Sequence, residues 1–210
     1  MGREQFAKLW SKVEVLGKVP HPSKLFLCGI VGYGNSSLLT CLALLLIQRD
    51  EAVVYLPDCR ALLRSLVPYV RAAMLLTFAG NVDTQEQVQE LCTIEEVAEF
   101  FDYRCLKDVV FIIDKLNSFE PGKDISRDNV SKEQKSRAQQ FLDMISVNYR
   151  CIRSTSANYL TFRYMEEKQR NETTIYVHGG LAKVSEDYRA CRPDGADDST
   201  DGDGSIVGKE

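Results

Sequence analysis

The residues best placed to do chemistry run from Gly29 to Ser36, as Gly29-Ile30-Val31-Gly32-Tyr33-Gly34-Asn35-Ser36, with Ser37 behind them. Gly29 and Gly34 have the separation of the two glycines in G-x-x-x-x-G-K-[ST], the phosphate-binding P-loop, and Gly32 adds a third flexible point. Such a loop turns successive backbone N–H groups into one concavity, and the positive end of the following helix adds to the attraction for anions. Ser36 stands where a hydroxyl would ligate Mg²⁺, and Ser37 completes the candidate nucleotide contacts. Where the motif has lysine, this sequence has Asn35. Lysine carries a full charge to the outer phosphates, whereas asparagine carries none; a hydrogen bond to a charged group contributes about 1.5–3 kcal/mol. These residues predict a loop that keeps its shape, binds nucleotide weakly, and turns it over poorly or not at all. Three glycines between a strand and a helix also make an ordinary tight turn, so the loop needs support from the rest of the chain.

That support comes from a second stretch. Val109-Val110-Phe111-Ile112-Ile113-Asp114 is a continuous apolar run, as expected of a parallel strand buried on both faces, and it ends in a carboxylate. This is the form of a Walker B strand, whose aspartate helps to hold Mg²⁺ opposite the loop hydroxyl, so Ser36 and Asp114 form the candidate metal pair. The next residue is Lys115, which cannot act as the general base that a glutamate there would supply, but whose charge could stand in for the one missing at Asn35. The simpler alternative is a strand that merely ends in an acid followed by a solvated lysine. A third apolar stretch, 151–153, runs into Ser154-Thr155-Ser156-Ala157-Asn158, where Ser154 or Asn158 is either a sensor for a γ-phosphate or an ordinary loop residue.

The elements that must position these groups follow from hydrophobic spacing. A lead-in helix is expected over 5–16, then a Pro-rich break containing His21, a strand at 25–29, and a helix from 35 to about 49 with leucines on more than one face. A second strand is expected at 52–56; Asp58 after it either faces a ligand or caps the next helix. A helix over 61–78 should be interrupted near Pro68 and end at Gly80-Asn81, with two more helices after it, the second opened by the capping-box spacing of Thr93 and Glu96. A polar loop over 120–130 precedes a helix capped by Ser131 and reaching about 148, and 174–177 is a further strand or the stem of a Gly179-Gly180 turn. The expected fold class is α/β: a three-layer, P-loop NTPase-like domain with a mainly parallel sheet and helices on both faces.

Composition narrows the partners. The chain has 210 residues, 44% hydrophobic and 27% charged, with a formal net charge of −4. That balance gives the whole chain no general attraction for nucleic acid, and no basic stripe or acidic nuclease constellation is apparent, so nucleic acid is not an expected partner of this chain alone. Seven scattered cysteines without a C-x-x-C pair, and only two histidines, read as reduced thiols rather than a zinc site. No secretory signal is visible at the start, Phe6 breaks the myristoylation pattern after Gly2, and the run at 38–47 is too short to cross a bilayer. Those features point to cytoplasm or nucleus and to no membrane partner. The segment 191–210 is acidic, Gly-rich and without large apolar residues, and is expected to be disordered; its Asp201-Gly202-Asp203-Gly204 lacks the later ligand spacing of a calcium loop.

The pieces together resemble a known family. Pro22-Ser23-Lys24-Leu25-Phe26 leading into the glycine loop, Val53-Val54-Tyr55-Leu56-Pro57-Asp58-Cys59-Arg60, Phe111-Ile112-Ile113-Asp114-Lys115-Leu116-Asn117, and Ser154-Thr155-Ser156-Ala157-Asn158 with Gly179-Gly180-Leu181 are similar to the P-loop NTPase domain of Crinkler-type effectors. Their relatives include the retrotransposon hot spot proteins of trypanosomatids, and these motifs do not separate the two groups. The resemblance covers roughly residues 20–185. It implies an NTPase of the additional-strand class that takes ATP or another nucleoside triphosphate with Mg²⁺, and a secreted effector acting in a host cell. This chain departs from the pattern at Asn35, at Lys115 where the family commonly has glutamine, and in lacking both a secretion header and a C-terminal effector domain. Residues 1–20 then form a lead-in helix and linker, 21–190 the NTPase-like domain (complete or cut short at its C-terminus), and 191–210 the tail. The alternative function is a catalytically dead scaffold for protein contacts, or a fragment of a larger effector.

Overall fold

The computed structural model describes residues 2–16, 18, 24–29, 34–103, 108–119, 130–156 and 173–177. All of them belong to one compact unit, Met1–Gly179. Gly32, His21, Asn158, the 120–129 part of the polar loop, Gly179-Gly180 and the acidic tail lie outside the described residues.

Five strands form one sheet: β1 (Lys24–Gly29), β2 (Val53–Leu56), β3 (Val110–Ile113), β4 (Arg150–Ser156) and β5 (Thr173–Val177). Their order is β2-β3-β4-β1-β5, and every pairing is parallel. Parallel neighbours need crossovers, and the helices supply them: α1 (Gly2–Leu16) precedes the sheet, α2 (Asn35–Gln48) follows β1, and α3 (Cys59–Arg64), α4 (Leu66–Thr77), α5 (Val82–Glu90) and α6 (Ile94–Tyr103) lead from β2 to β3. A 3₁₀ turn (Leu116–Phe119) and α7 (Lys132–Asn148) then lead from β3 to β4. The 174–177 segment is thus a strand, on the edge beside β1.

Alternation along the strands divides the core in two. Leu25, Leu27, Val110, Ile112 and Ile152 pack with Leu38, Leu39, Leu42 and Leu46 of α2 and with Leu9 and Val13 of α1. Phe26, Cys28, Val54, Phe111, Ile113 and Cys151 pack on the opposite side with α3, α4, α5, α6 and α7. The second side is the aromatic one: Phe101 and Tyr149 lie 5.3 and 5.4 Å, centroid to centroid, from Phe111. On the first side the Arg49 guanidinium sits 4.3 Å above the Trp10 ring and reaches Glu14 at 3.3 Å, joining the ends of α1 and α2. This is a three-layer α/β fold with a parallel sheet, in which one strand stands between the one that enters the glycine loop and the one that ends at Asp114.

Local chemistry sets the element ends. Asp58 caps α3 by accepting from the Arg60 N–H at 3.0 Å, which decides between the two readings of that acid. Thr93 with Glu96, and Ser131 with Gln134, close the expected capping boxes. The interruption expected near Pro68 comes at Ser65 instead. Pro68 is the third residue of α4, where a backbone N–H would have no intrahelical acceptor, so the ring is tolerated there. Likewise, the polar segment after 153 does not begin a loop: Ser154, Thr155 and Ser156 continue β4 in register with Leu27, Cys28 and Gly29.

Candidate functional site

The carboxyl ends of β1, β3 and β4 meet the N-terminus of α2, the crevice where open parallel sheets bind ligands. Gly34 precedes the first turn of α2 with φ +86°, a left-handed conformation that strains any side chain even though the space around it is open. Its carbonyl accepts the Leu38 N–H at 2.9 Å, and no side chain caps the helix. The first-turn N–H groups of α2 therefore have no intrahelical acceptor, and Ser36 and Ser37 are exposed beside them.

Asn35 turns inward. Its Nδ2 donates to the Gly29 carbonyl at 3.4 Å and to the Thr155 carbonyl at 3.2 Å, while its Oδ1 is buried without a donor. The orientation of the amide follows from its neighbours, since both partners are carbonyls and only the nitrogen can serve them. The carboxamide lies against the bare Cα of Gly29: a Cβ there would stand 2.6 Å from Oδ1, 3.0 Å from Nδ2 and 3.0 Å from the Val177 Cβ. Gly29 is required here for close approach rather than for a turn, and Asn35 ties the end of β1 to β4.

Asp114 sits one residue beyond β3 and is 2% exposed. Its N–H continues the ladder to the Leu56 carbonyl at 2.9 Å. Its Oδ1 accepts the Lys115 N–H at 2.8 Å and the hydroxyl of Ser154, a fully buried residue, while Oδ2 is buried with no hydrogen-bond partner. Lys115 takes φ +61°, an unusual value for a residue with a side chain, and strain of that kind costs on the order of 1–3 kcal/mol. Its carbonyl accepts the Ser118 N–H at 3.1 Å and so opens the 3₁₀ turn.

Near this carboxylate, burial favours the neutral forms of one thiol and one phenol. Burial, reinforced by the Asp114 charge, pushes the Cys59 thiol up. Burial also raises Tyr55, with a smaller push from Asp114. Cys28, on β1 just before the loop, is pushed up by burial to about 11. The Tyr55 hydroxyl pairs at 3.1 Å with Thr40, whose own hydroxyl reaches the Ser36 carbonyl at 2.9 Å. Ser36 and Thr40 share one face of α2, and Thr40 meets β2 there through Tyr55.

The structure thus brings Gly29, Gly34, Asn35, Ser36 and Ser37 to one end of the sheet with Asp114 and Ser154. Ser154 touches Asp114 and contributes no exposed hydroxyl. The residues that sequence reading left out are Thr155, which enters through its backbone carbonyl, and Thr40 with Tyr55, whose pairing joins a helix to a strand; neither a carbonyl nor a pairing of that kind leaves a motif. Among the described residues no group of three or more His, Cys, Asp or Glu gathers to hold a metal, and no helix is long and apolar enough to cross a membrane.

No protein-family model matches the chain. No curated protein matches it either. Among similar solved structures is AMPPCP-bound DnaA from Aquifex aeolicus, with a TM-score of 0.49 and 11% identity over 88% of this chain and 49% of that one. Another is the Aeropyrum pernix ORC2 protein in ADPNP–ADP complexes, with a TM-score of 0.45 and 11% identity over 84% of this chain and 46% of that one. The chain spans about half the length of each.

Proposed function

We propose that this P-loop NTPase-like domain binds ATP or another nucleoside triphosphate weakly, with Mg²⁺, and hydrolyses it poorly or not at all. The observation that carries the reading is the inward turn of Asn35: its amide protons go to Gly29 and Thr155, while Gly34, at φ +86°, leads into a first turn of α2 that no side chain caps. Phosphate contacts then fall to the backbone of Gly29, Gly32 and Gly34 and to the first turn of α2, with Ser36 and Ser37. Asp114 and Ser36 are the residues that would hold Mg²⁺. The buried, unpartnered Oδ2 of Asp114 fits a cation, and Mg²⁺ commonly needs only one or two protein oxygens besides water and phosphate. Bound there, the metal would neutralise charge on the phosphates.

Hydrolysis is impaired for two reasons. Asn35 brings no charge to the outer phosphates, and Lys115 stands where a carboxylate would orient water. The strand between β1 and β3 supports the additional-strand class, and with the motifs it supports a Crinkler-type origin. The division into 1–20, 21–190 and 191–210 and an effector role belong to the same proposal. A second reading, a scaffold for protein contacts, is favoured by Leu44 and Ile47, which α2 leaves exposed on its outer side.

The test is a titration of fluorescent ATP and GTP analogues with Mg²⁺ against the wild-type chain and Asn35→Lys, with phosphate release followed alongside. Expected are weak saturable binding by wild type, at least about tenfold tighter binding by Asn35→Lys, and no release by wild type. Absence of binding by both folded forms would overturn the reading in favour of the scaffold.

A further inference from the structure

Asp114 and Ser154 meet because the parallel ladder makes them neighbours. Ile113 pairs with Arg153, so the residue after each stands beside the other. Alternation sends both toward α2, since Ile112 and Ile152, two residues back, pack on that side with the α2 leucines. There the Ser154 hydroxyl donates to Asp114 Oδ1, and the Lys115 N–H donates to the same oxygen at 2.8 Å. A carboxylate only accepts, so the direction of both bonds is settled. With both donors on one oxygen, Oδ2 stays buried without a hydrogen-bond partner. The Lys115 side chain is exposed, and its ammonium does not bond to Oδ2. The Lys115 N–H belongs to the next residue and moves with Asp114. Ser154 comes from another strand, so it is the donor that fixes the carboxylate relative to the sheet. Having no exposed surface of its own, Ser154 reaches a ligand only through Asp114.

We infer that Ser154 is a positioning residue: by engaging Oδ1 it fixes the Asp114 carboxylate and reserves Oδ2 as the oxygen offered to the Mg²⁺ of a bound nucleotide. The inference rests on the nucleotide-binding reading above and adds to it the residue that sets how well the metal is held. It gives Ser154 a role exerted through the carboxylate in place of direct contact with a phosphate. Outer partners that orient a ligating carboxylate commonly govern about 10–100-fold of metal affinity.

The test is isothermal titration of AMPPCP, with Mg²⁺ and again with EDTA, into the full wild-type chain, Ser154→Ala, Asp114→Asn and the double variant, with circular dichroism to show that all four are folded. With Mg²⁺, Ser154→Ala should bind about tenfold more weakly than wild type, and with EDTA the two should agree within about twofold. In the Asp114→Asn background, adding Ser154→Ala should change the affinity with Mg²⁺ by less than about twofold, because the group it acts through is already altered. Equal weakening with Mg²⁺ and with EDTA would make Ser154 a general support of the fold and overturn the inference. So would an unchanged affinity with Mg²⁺, or a full further loss in the Asp114→Asn background, and each of these leaves the nucleotide site standing. No binding by folded wild type in either condition overturns the nucleotide reading itself, and this inference with it.

Discussion

The two halves of the site are built alike and end differently. In each, one side chain at the carboxyl end of the sheet bonds to backbone: Asn35, at the start of α2, to two carbonyls, and Asp114, just past β3, to the Lys115 N–H. In the loop half, Asn35 commits its amide to carbonyls and leaves a neutral Oδ1 buried without a donor. The Asp114 half also keeps a buried oxygen that nothing satisfies, and this one belongs to a carboxylate. The side expected to bring positive charge presents a neutral carboxamide, while the other presents a carboxylate. Where the P-loop pattern has lysine, Asn35 brings no charge and has a structural task, tying the end of β1 to β4.

That contrast can be broken in the order of expected effect. Gly29→Ala should cost most, about 2–3 kcal/mol by urea unfolding, because its Cβ has no room against the Asn35 carboxamide and Val177. In an Asn35→Ala background two of those three contacts vanish, and the cost of the alanine should fall by about 1 kcal/mol or more. Strict additivity of the two changes would mean that Asn35 does not lie against Gly29. Asn35→Ala alone should cost about 1–2 kcal/mol, for two carbonyls left without a donor. Peptide-resolved thiol labelling localises that loss: Cys28 should react faster in the variant, with buried Cys59 and Cys151 still slow and exposed Cys41 and Cys92 fast throughout. If Cys59 and Cys151 accelerate equally, the effect is global and the clasp is not a local one. The smallest change belongs to Asp114→Asn, which keeps an acceptor for Lys115 and Ser154 but removes a buried charge. Stability should rise, by less than about 1 kcal/mol. A clear loss on thermal unfolding would reveal a partner for Oδ2 and make the two halves equivalent.

What could be read from the sequence was local. The glycine spacing, the apolar run into Asp114 and the capping boxes at Thr93 and Ser131 depend on neighbours a few residues apart, and the structure has the strand into Asp114, both capping boxes, and Gly29 and Gly34 at the end of β1 and the start of α2. The helix break was misplaced by three residues because Pro68 is conspicuous and Ser65 is not, although a proline near a helix start breaks nothing. The inward turn of Asn35 could not be read, since it depends on a carbonyl 120 positions away in β4. Ser154 was singled out for its polarity but not for its actual contact, because which face of a strand a serine occupies depends on pairing register.

The all-parallel topology also fixes an order of events in time. No strand here can pair through a hairpin. β1, early in the chain, has β4 and β5, the last two described strands, as its neighbours on either side. During synthesis β2 and β3 can meet first, whereas the strand that enters the glycine loop waits, unpaired on both edges, until residues 150–177 have emerged. The strand that leads into the glycine loop is thus the last to be framed, and a ribosome-bound chain cut short of β4 would leave β1 without either neighbour.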